Sequence, residues 1–304
     1  MDIVILLLKQ NLIMLIYLLI GYFLFKKKLV STQGSGDIGR MLLYIVMPVA
    51  IIKAYIIDFS VERLQGLLIS FWAAVFSLML SILISRFAFR NEEGIERFGA
   101  AFSNAGFIGI PLVQMTLGTE AVFYVSSFVA LLNILQWTYG VLVMTGDRSV
   151  ISFQKVRTNP IVISFLVGIA LFLLPIPLPQ VVESVLGTVS SMNGPLAMIV
   201  LGVYLAHVPL KSLFTEGIVY RCTFVRLIVI PVLTLLLMML VPKEYYLVKM
   251  AVLIAASAPV GSNVAIFAQL YEKDYTRAVK EVCMSTLCCI ITLPIIVGIA
   301  GLLF

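Results

Sequence analysis

Residues 100–114 read AAFSNAGFIGIPLVQ, and residues 256–269 read ASAPVGSNVAIFAQ. Both are apolar stretches interrupted by glycine, asparagine and proline. Proline lacks the backbone N–H and clashes with the preceding helical turn, and glycine leaves helical geometry at little cost. We therefore predict two membrane helices that are each broken near the middle. Interrupted spans at corresponding positions of two halves of a chain are the best sequence indicator of a central transporter site.

The composition of the whole chain points to the lipid bilayer. Of its 304 residues 62% are hydrophobic and 12% are charged, with a mean hydropathy of +1.11, whereas soluble domains carry about 25% charged residues. Several nearly uncharged runs of about 20 residues can cross a hydrocarbon core of about 30 Å. In lipid such runs form helices, because the backbone must satisfy its own hydrogen bonds. The first run precedes Lys26–Lys28 and lacks a cleavage pattern, so we interpret it as a span and not as a signal peptide.

Ten apolar runs and the distribution of basic residues predict the topology. Of the 21 Lys and Arg residues, sixteen belong to the odd-numbered connections. The other five, near the termini and even-numbered connections, are Lys9, Lys53, Arg63, Lys243 and Lys249. Because basic residues concentrate in cytoplasmic loops, we expect a multi-pass protein of the cell membrane with both termini outside. The predicted helices are residues 3–25, 38–57, 64–86, 97–117, 120–144, 159–175, 192–208, 221–241, 246–270 and 277–303.

Ten helices divide into two sets of five, and an odd number of spans makes the second set enter the membrane from the opposite side. A shift of 155 residues places Gly106 on Gly261 and Gln114 on Gln269. We therefore predict an all-α polytopic membrane protein with two inverted five-helix repeats, residues 1–145 and 146–304. Helix 4 then runs from inside to outside, and helix 9 runs in the opposite direction.

This topology predicts an anion site where helices 4 and 9 break. The second half of each helix begins near the bilayer centre, where its free N–H groups and positive dipole end attract anions. Pro111 suits the first position of a restarted helix. On helix 5, Asn133 and Trp137 are four residues apart and share a face. The alternative is that these residues serve helix packing only. The candidate substrate-binding residues are Asn104, Gly106, Gly109, Pro111, Asn133, Trp137, Pro259, Gly261, Ser262 and Asn263.

The remaining polar residues predict no catalytic residue, no metal site and no cofactor. The sequence has no metal-ligand cluster and no phosphate-binding loop, and its serines lack a general base. We find no Asp or Glu near the centre of any span, and we interpret Lys53, Arg226 and Lys249 as basic side chains that reach the membrane surface. The single histidine, His207, is interpreted as interfacial, and the four cysteines as packing residues. Nucleic-acid binding is excluded, because the basic residues form no continuous stripe.

Four segments resemble the auxin efflux carrier family, which includes bacterial malonate and malate permeases and the plant PIN carriers. They are GRMLLYIVMPVAI (39–51), SNAGFIGIPL (103–112), TNPIVISFLVGI (158–169) and SAPVGSNVAIFAQ (257–269). The resemblance implies a scaffold of helices 1, 2, 6 and 7 and a mobile transport bundle of helices 3–5 and 8–10. It also implies that helices 4 and 9 cross at Pro111 and Pro259 beside a carboxylate site, and that helices 2 and 7 form a homodimer contact.

The leading hypothesis is an elevator-type carrier of small organic anions, with dicarboxylates or auxin-like acids favoured by the resemblance. A membrane sensor that binds a ligand without moving it is one alternative. A cation-coupled carrier of a neutral solute is another, and an acidic pair in the protein core would favour it.

Overall fold

The computed structural model describes residues 3–90, 93–174 and 178–304. Within these residues the regular elements are helical, apart from one antiparallel bridge between Ser103 and Val260. The α-helices are α1 Ile3–Lys26, α2 Thr32–Met41, α3 Met47–Ala54, α4 Val61–Ala88, α5 Gly94–Ala101, α6 Ile110–Leu117, α7 Thr119–Leu135, α8 Val141–Thr145, α9 Phe153–Arg157, α10 Pro160–Leu173, α11 Gln180–Ser191, α12 Asn193–His207, α13 Gly217–Phe224, α14 Ile230–Met238, α15 Tyr246–Ser257, α16 Asn263–Leu270 and α17 Tyr275–Leu303.

Seven helical stretches in the described ranges are long and apolar enough to cross a membrane: Ile5–Lys26, Thr32–Ala54, Val61–Ala88, Thr119–Thr145, Gln180–His207, Gly217–Met238 and Tyr275–Leu303. An eighth forms if Arg148–Arg157 and Pro160–Leu173, bent by 41°, are one span. The prediction of an all-α, multi-pass membrane protein is confirmed. The exact count of ten spans and their inverted repeat stay predictions, and residue 175, the predicted end of helix 6, lies outside the described residues.

The two interrupted stretches are the remaining predicted spans. In the predicted helix 97–117, α5 ends at Ala101 and helical structure resumes at Ala105; in the predicted helix 246–270, α15 ends at Ser257 and α16 begins at Asn263. Both breaks were predicted from glycine and proline in the sequence, and both are confirmed.

Wide helical turns of the π type precede three of the prolines. These turns are Leu42–Val46 before Pro48, Ala105–Gly109 before Pro111, and Val225–Val229 before Pro231. A proline cannot donate a backbone hydrogen bond and collides with the carbonyl one turn earlier. A π turn adds one residue to the turn, so the chain passes each proline without a full break. A fourth π turn, Gln136–Gly140, joins α7 to α8.

The helices pack in two groups. In the first, α1 packs on α12, and α3 packs on α10 and α11. In the second, α7 packs on α4 and α15, and α17 packs on α13 and α16. The α1–α12 contact is close because Gly21 and Gly202 face the opposite backbone, and a Cβ on either glycine would overlap backbone atoms of Ile199 or Leu18. Small residues allow such close approach between membrane helices.

We expect Gly202→Ala to destabilise the protein, because its methyl group would collide with the Leu18 carbonyl. Overpacking of this kind costs about 1–3 kcal/mol. Thermal unfolding of the purified protein in detergent measures the effect. Gly36→Ala is the matched control, because nothing lies within 4 Å of a Cβ at this helical glycine, and we expect it to stabilise by about 0.5–1 kcal/mol. Equal melting temperatures for the two variants would contradict the close contact.

Candidate functional site

The two breaks cross each other and are joined by backbone hydrogen bonds. The N–H of Asn104 donates to the carbonyl of Pro259 at 2.7 Å, and the N–H of Gly261 donates to the carbonyl of Phe102 at 3.0 Å. A Cβ on Gly261 would stand 3.1 Å from the carbonyl oxygens of both Phe102 and Ser103. Glycine at 261 therefore allows the two backbones to approach within hydrogen-bonding distance, and we call this region the crossing.

The crossing lies at Ser103 and Val260, next to Pro259 but away from Pro111. The expectation that both prolines mark it is therefore wrong for Pro111, which lies in the first turn of α6. The π turn Ala105–Gly109 separates it from the break and removes the need to interrupt the helix at the proline. A Cβ on Gly194 of α12 would stand 3.2 Å from Pro111. This proline therefore lies against α12, which belongs to the first group of helices.

A small cavity lies at the crossing. Its free space of about 20 Å³ accommodates about one water molecule, so the site is closed in this conformation. Residues from both breaks, from the α7–α8 stretch and from the α2–α3 stretch surround it. They are Leu43, Met47, Ser103, Asn104, Gly106, Phe107, Leu132, Asn133, Gln136, Gly261, Ser262 and Asn263.

Both restarted helices begin at this cavity without a side-chain cap. Asn104 and Ser262 occupy the N-cap positions, yet neither side chain accepts a bond from the first turn. Asparagine and serine are among the strongest capping residues, and the first N–H groups of a helix have no partner inside it. The N–H groups of Val264 and Ala265 in α16 donate to the carbonyls of Gly261 and Ser262 at 3.0 and 3.2 Å. Both restarted helices nevertheless direct their positive dipole ends toward this cavity.

Amide side chains complete the polar wall. Asn104 is 5% exposed, and its Nδ2 has no hydrogen-bond partner within the described residues. Asn263 Nδ2 donates to Gln136 Oε1 at 2.7 Å, and Asn133 Nδ2 donates to the Val129 carbonyl at 2.9 Å. The unpaired amide of Asn104 is a buried donor for which the described chain supplies no acceptor.

Six of the ten predicted site residues line the cavity, and four do not. Those outside it are Gly109, Pro111, Trp137 and Pro259. Gly109 faces Ala255 of α15, and Pro259 contributes its carbonyl to the crossing. Trp137 packs against Phe267 with ring centroids 4.7 Å apart. Trp137 does not line the cavity in this closed conformation, whereas its neighbour Gln136 does.

The interpretation of Arg226 as a basic side chain that reaches the membrane surface is wrong. Arg226 is 1% exposed and does not reach the membrane surface. Its guanidinium donates to the Ala100 carbonyl at 2.9 Å, to the Ala101 carbonyl at 3.4 Å, and to the Ala256 carbonyl. These carbonyls end α5 and α15, the first halves of the two broken helices. A buried cation thus neutralises two negative helix ends directly behind the crossing.

Other interpretations of charged residues also change with the structure. Lys249 is buried, with its Nζ 4.2 Å from the centroid of the Phe304 ring. Glu281, in the second turn of α17, and Glu96, in α5, are buried as well. Glu281 lies near the start of α17 and not near the centre of a span, as expected from the sequence. Both carboxyl groups are nevertheless inside the protein.

His207 behaves as a structural residue. Its Nε2 lies 2.7 Å from Thr32 Oγ1, and its Nδ1 lies 2.7 Å from the Val203 carbonyl. The ring therefore links the end of α12 to the start of α2.

Two comparisons with known proteins identify similar sequences. The sequence profile of a family described as "Membrane transport protein" matches residues 6–158 and 149–297. A Rhizobium meliloti (strain 1021) protein named "Putative malonate transporter" is 24% identical over 288 residues, which cover 90% of this chain and 87% of that protein.

Proposed function

Because the chain belongs to the membrane transport protein family, and is a transporter and not an enzyme, we propose that it carries small organic anions across the membrane as a secondary transporter. Dicarboxylates such as malonate and malate are the favoured substrates, consistent with the similarity to a protein named as a malonate transporter. The observation that carries the proposal is the cavity at the crossing, where two uncapped helix starts and the unpaired Asn104 amide face one point.

The electrostatics of this cavity favour an anion. Carboxylates accept hydrogen bonds from backbone N–H groups and amides, and charge-assisted bonds of this kind are about twice as strong as neutral ones. The Arg226 guanidinium reinforces the effect, because it offsets the negative ends of α5 and α15 that would otherwise repel the ligand. No acidic side chain is among the residues that line the cavity.

We infer that access alternates by an elevator-type movement, and the position of the cavity supports this. Leu43 and Met47 belong to the first group of helices, whereas Asn104, Gln136 and Asn263 belong to stretches of the second. A ligand here lies between the groups, so a displacement of one group against the other would open it to one side. The present cavity is too small for a dicarboxylate, and transport requires at least one more open state.

We further propose that ten spans form two inverted repeats, residues 1–145 and 146–304, with both termini outside the cell membrane. Helices 1, 2, 6 and 7 are the proposed scaffold, consistent with the packing of α1, α3, α10, α11 and α12 on one another. A homodimer through helices 2 and 7 stays a prediction.

Uptake by proteoliposomes that contain the purified protein tests the function. We expect saturable uptake of labelled malonate or malate, with competition by other carboxylates. Malonamide is the matched control ligand, because it has the size of malonate without its charge, and we expect it not to compete. An aromatic monocarboxylate tests the breadth of the site.

The outcomes separate the alternatives. If no carboxylate is taken up and none competes, the proposal of an anion carrier is wrong. Saturable binding without uptake would favour a membrane sensor, and uptake of neutral solutes driven by a cation gradient would favour the cation-coupled alternative.

A further inference from the structure

Glu281 of α17 is a buried carboxyl group whose nearby donor among the described residues is the weak Cys222 thiol. Its side chain is 0% exposed, and neither carboxyl oxygen receives a hydrogen bond from N–H or O–H groups of the described chain. Its Oε2 lies against α5, 2.5 Å from where a Cβ on Gly99 would stand. An ionised carboxylate in such a place costs far more free energy than a neutral carboxylic acid.

Other polar and charged groups lie near Glu281. Glu96 lies one turn before Gly99 on α5, and the Cys222 thiol of α13 lies 3.3 Å from where a Cβ on Gly99 would stand, close to the Glu281 carboxyl group. Arg277, one turn earlier on α17, forms ion pairs with Glu96 at 3.4 Å and with Glu216 at 3.6 Å. Arg277 therefore engages carboxylates other than Glu281, and the negative end of α5 lies beside Gly99.

Several basic residues on α17 and on the elements packed against it contact other groups: Arg97 of α5 donates to the Tyr139 hydroxyl at 3.3 Å, and Arg221 of α13 lies 3.7 Å from Glu93. Lys280, next in sequence to Glu281, pairs with Glu216 at 2.5 Å. Arg226 bonds to the carbonyls that end α5 and α15, and Lys249 of α15 lies beside Phe304 at the far end of α17. No ion pair to Glu281 is present within the described ranges, so the carboxyl group is expected to hold a proton in this conformation.

A polar cavity exposes Glu96, the acidic residue near Glu281, to water. It has a free space of about 340 Å³ and is lined by Glu96, Thr145, Lys273, Asp274 and Arg277. Lys273 and Arg277 belong to a connection on the predicted cytoplasmic side. Glu96 lines this cavity and lies on α5 one turn before Gly99, which the Glu281 carboxyl group faces. It therefore lies between the cavity and Glu281.

Glu281 is also close to the crossing. Ser285, one turn later on α17, accepts a hydrogen bond from the N–H of Val260 at 3.0 Å. Val260 in turn lies 3.2 Å from where a Cβ on Gly99 would stand. The Glu281 carboxyl group therefore lies one helical turn from the backbone that forms the anion cavity, and its charge state and the occupancy of the cavity influence each other.

We propose that Glu281 is a proton-binding site, loaded from the polar cavity through Glu96, and that its proton crosses the membrane together with the anion. This inference rests on the proposed function. A negative ligand at the crossing makes loss of the proton less favourable, and by linkage the bound proton favours the anion. In each cycle one proton moves from water to the Glu281 carboxylate and is released on the other side when the anion leaves.

Infrared spectroscopy of the purified protein without substrate tests the protonation. We expect the carbonyl stretch of a protonated carboxyl group near neutral pH, lost in Glu281→Gln and retained in Glu183→Gln, which removes an exposed carboxylate on α11. If Glu281→Gln does not fold, Glu281→Asp is expected to shift the band. Absence of the band in the wild type, or its persistence in Glu281→Gln, overturns the proposal.

Uptake under an imposed pH gradient tests the coupling. For one coupled proton, we expect wild-type accumulation to change by up to about tenfold per pH unit. Glu281→Gln is expected to lose this response, and Glu183→Gln to keep it. Glu96→Gln removes the proposed relay together with a neighbouring negative charge, so its gradient response is expected to be slower and to move to lower pH.

Three results decide the matter. Carboxylate uptake that ignores the gradient while the infrared band is present contradicts coupling. A gradient response that survives in Glu281→Gln assigns the proton to another group and overturns the proposal. Failure of every carboxylate to enter the liposomes is a failure of the proposed function, and the infrared result then shows by itself whether Glu281 binds a proton.

Discussion

Replacement of Asn104 by aspartate is expected to abolish carboxylate uptake at micromolar concentrations. The amide is buried at the cavity, and its Nδ2 lacks a partner in the described chain. An aspartate would place a negative charge where the ligand carboxylate binds. Two unit charges about 4 Å apart repel by about 4 kcal/mol at an effective dielectric constant of 20, which corresponds to a loss of affinity of about 1,000-fold. Michaelis constants from proteoliposome uptake measure the effect.

Two further variants separate charge from loss of the amide. Asn104→Ala removes one hydrogen bond to a charged ligand, worth about 1.5–3 kcal/mol, so we expect a smaller loss than for Asn104→Asp. Gln154→Glu adds the same charge on the exposed side of α9, and we expect it to have little effect. If Asn104→Asp and Asn104→Ala were equally impaired, the ligand at this site would not be an anion.

Replacement of Arg226 by methionine is expected to eliminate uptake and to destabilise the protein. Methionine fills much of the same space, but leaves the Ala100, Ala101 and Ala256 carbonyls without their donor. Hydrogen bonds to charged groups are each worth about 1.5–3 kcal/mol, so we expect at least about 3 kcal/mol of lost stability. The exposed negative ends of α5 and α15 would also repel an anion at the crossing.

Arg221→Met is the matched control, because Arg221 lies on the same helix with its side chain about half exposed, 3.7 Å from Glu93. We expect nearly normal uptake and melting temperature. Arg226→Lys keeps the charge but not the broad guanidinium, and an intermediate loss is expected. A melting temperature for Arg226→Met equal to that of Arg221→Met would show that the buried guanidinium does not hold the two half-helices.

The sequence predicted the features that depend on local chemistry. Glycine and proline identified both breaks, because these residues change the cost of helical geometry where they stand. Apolar run length and basic residues identified a multi-pass membrane protein. Asn104, Asn133 and Asn263 lie around one cavity, because the two breaks bring helices 4 and 9 together and Asn133 lies on the neighbouring helix; their role in substrate binding stays a prediction.

The failures depend on partners distant in sequence. The Arg226 guanidinium binds the Ala100 carbonyl, 126 residues away, and nothing near Arg226 in the sequence indicates it. Burial of Glu281 depends on Gly99, whose missing side chain makes room for the carboxyl group. Trp137 does not line the closed cavity, whereas Gln136 does; the sequence VLVMT, which follows the Gln136–Gly140 π turn, has no proline to signal the turn.

The backbone bridge between Ser103 and Val260 has a consequence for biosynthesis. The N–H of Asn104 and the carbonyl of Phe102 find their partners in residues 259–261, which the ribosome adds some 155 residues later. Until then these polar groups lie in a half-made protein inside the bilayer, where an unsatisfied group costs several kcal/mol. In the nascent first half, water or a chaperone must therefore form hydrogen bonds with these groups. A chain truncated before α15 is expected to be degraded by membrane proteases.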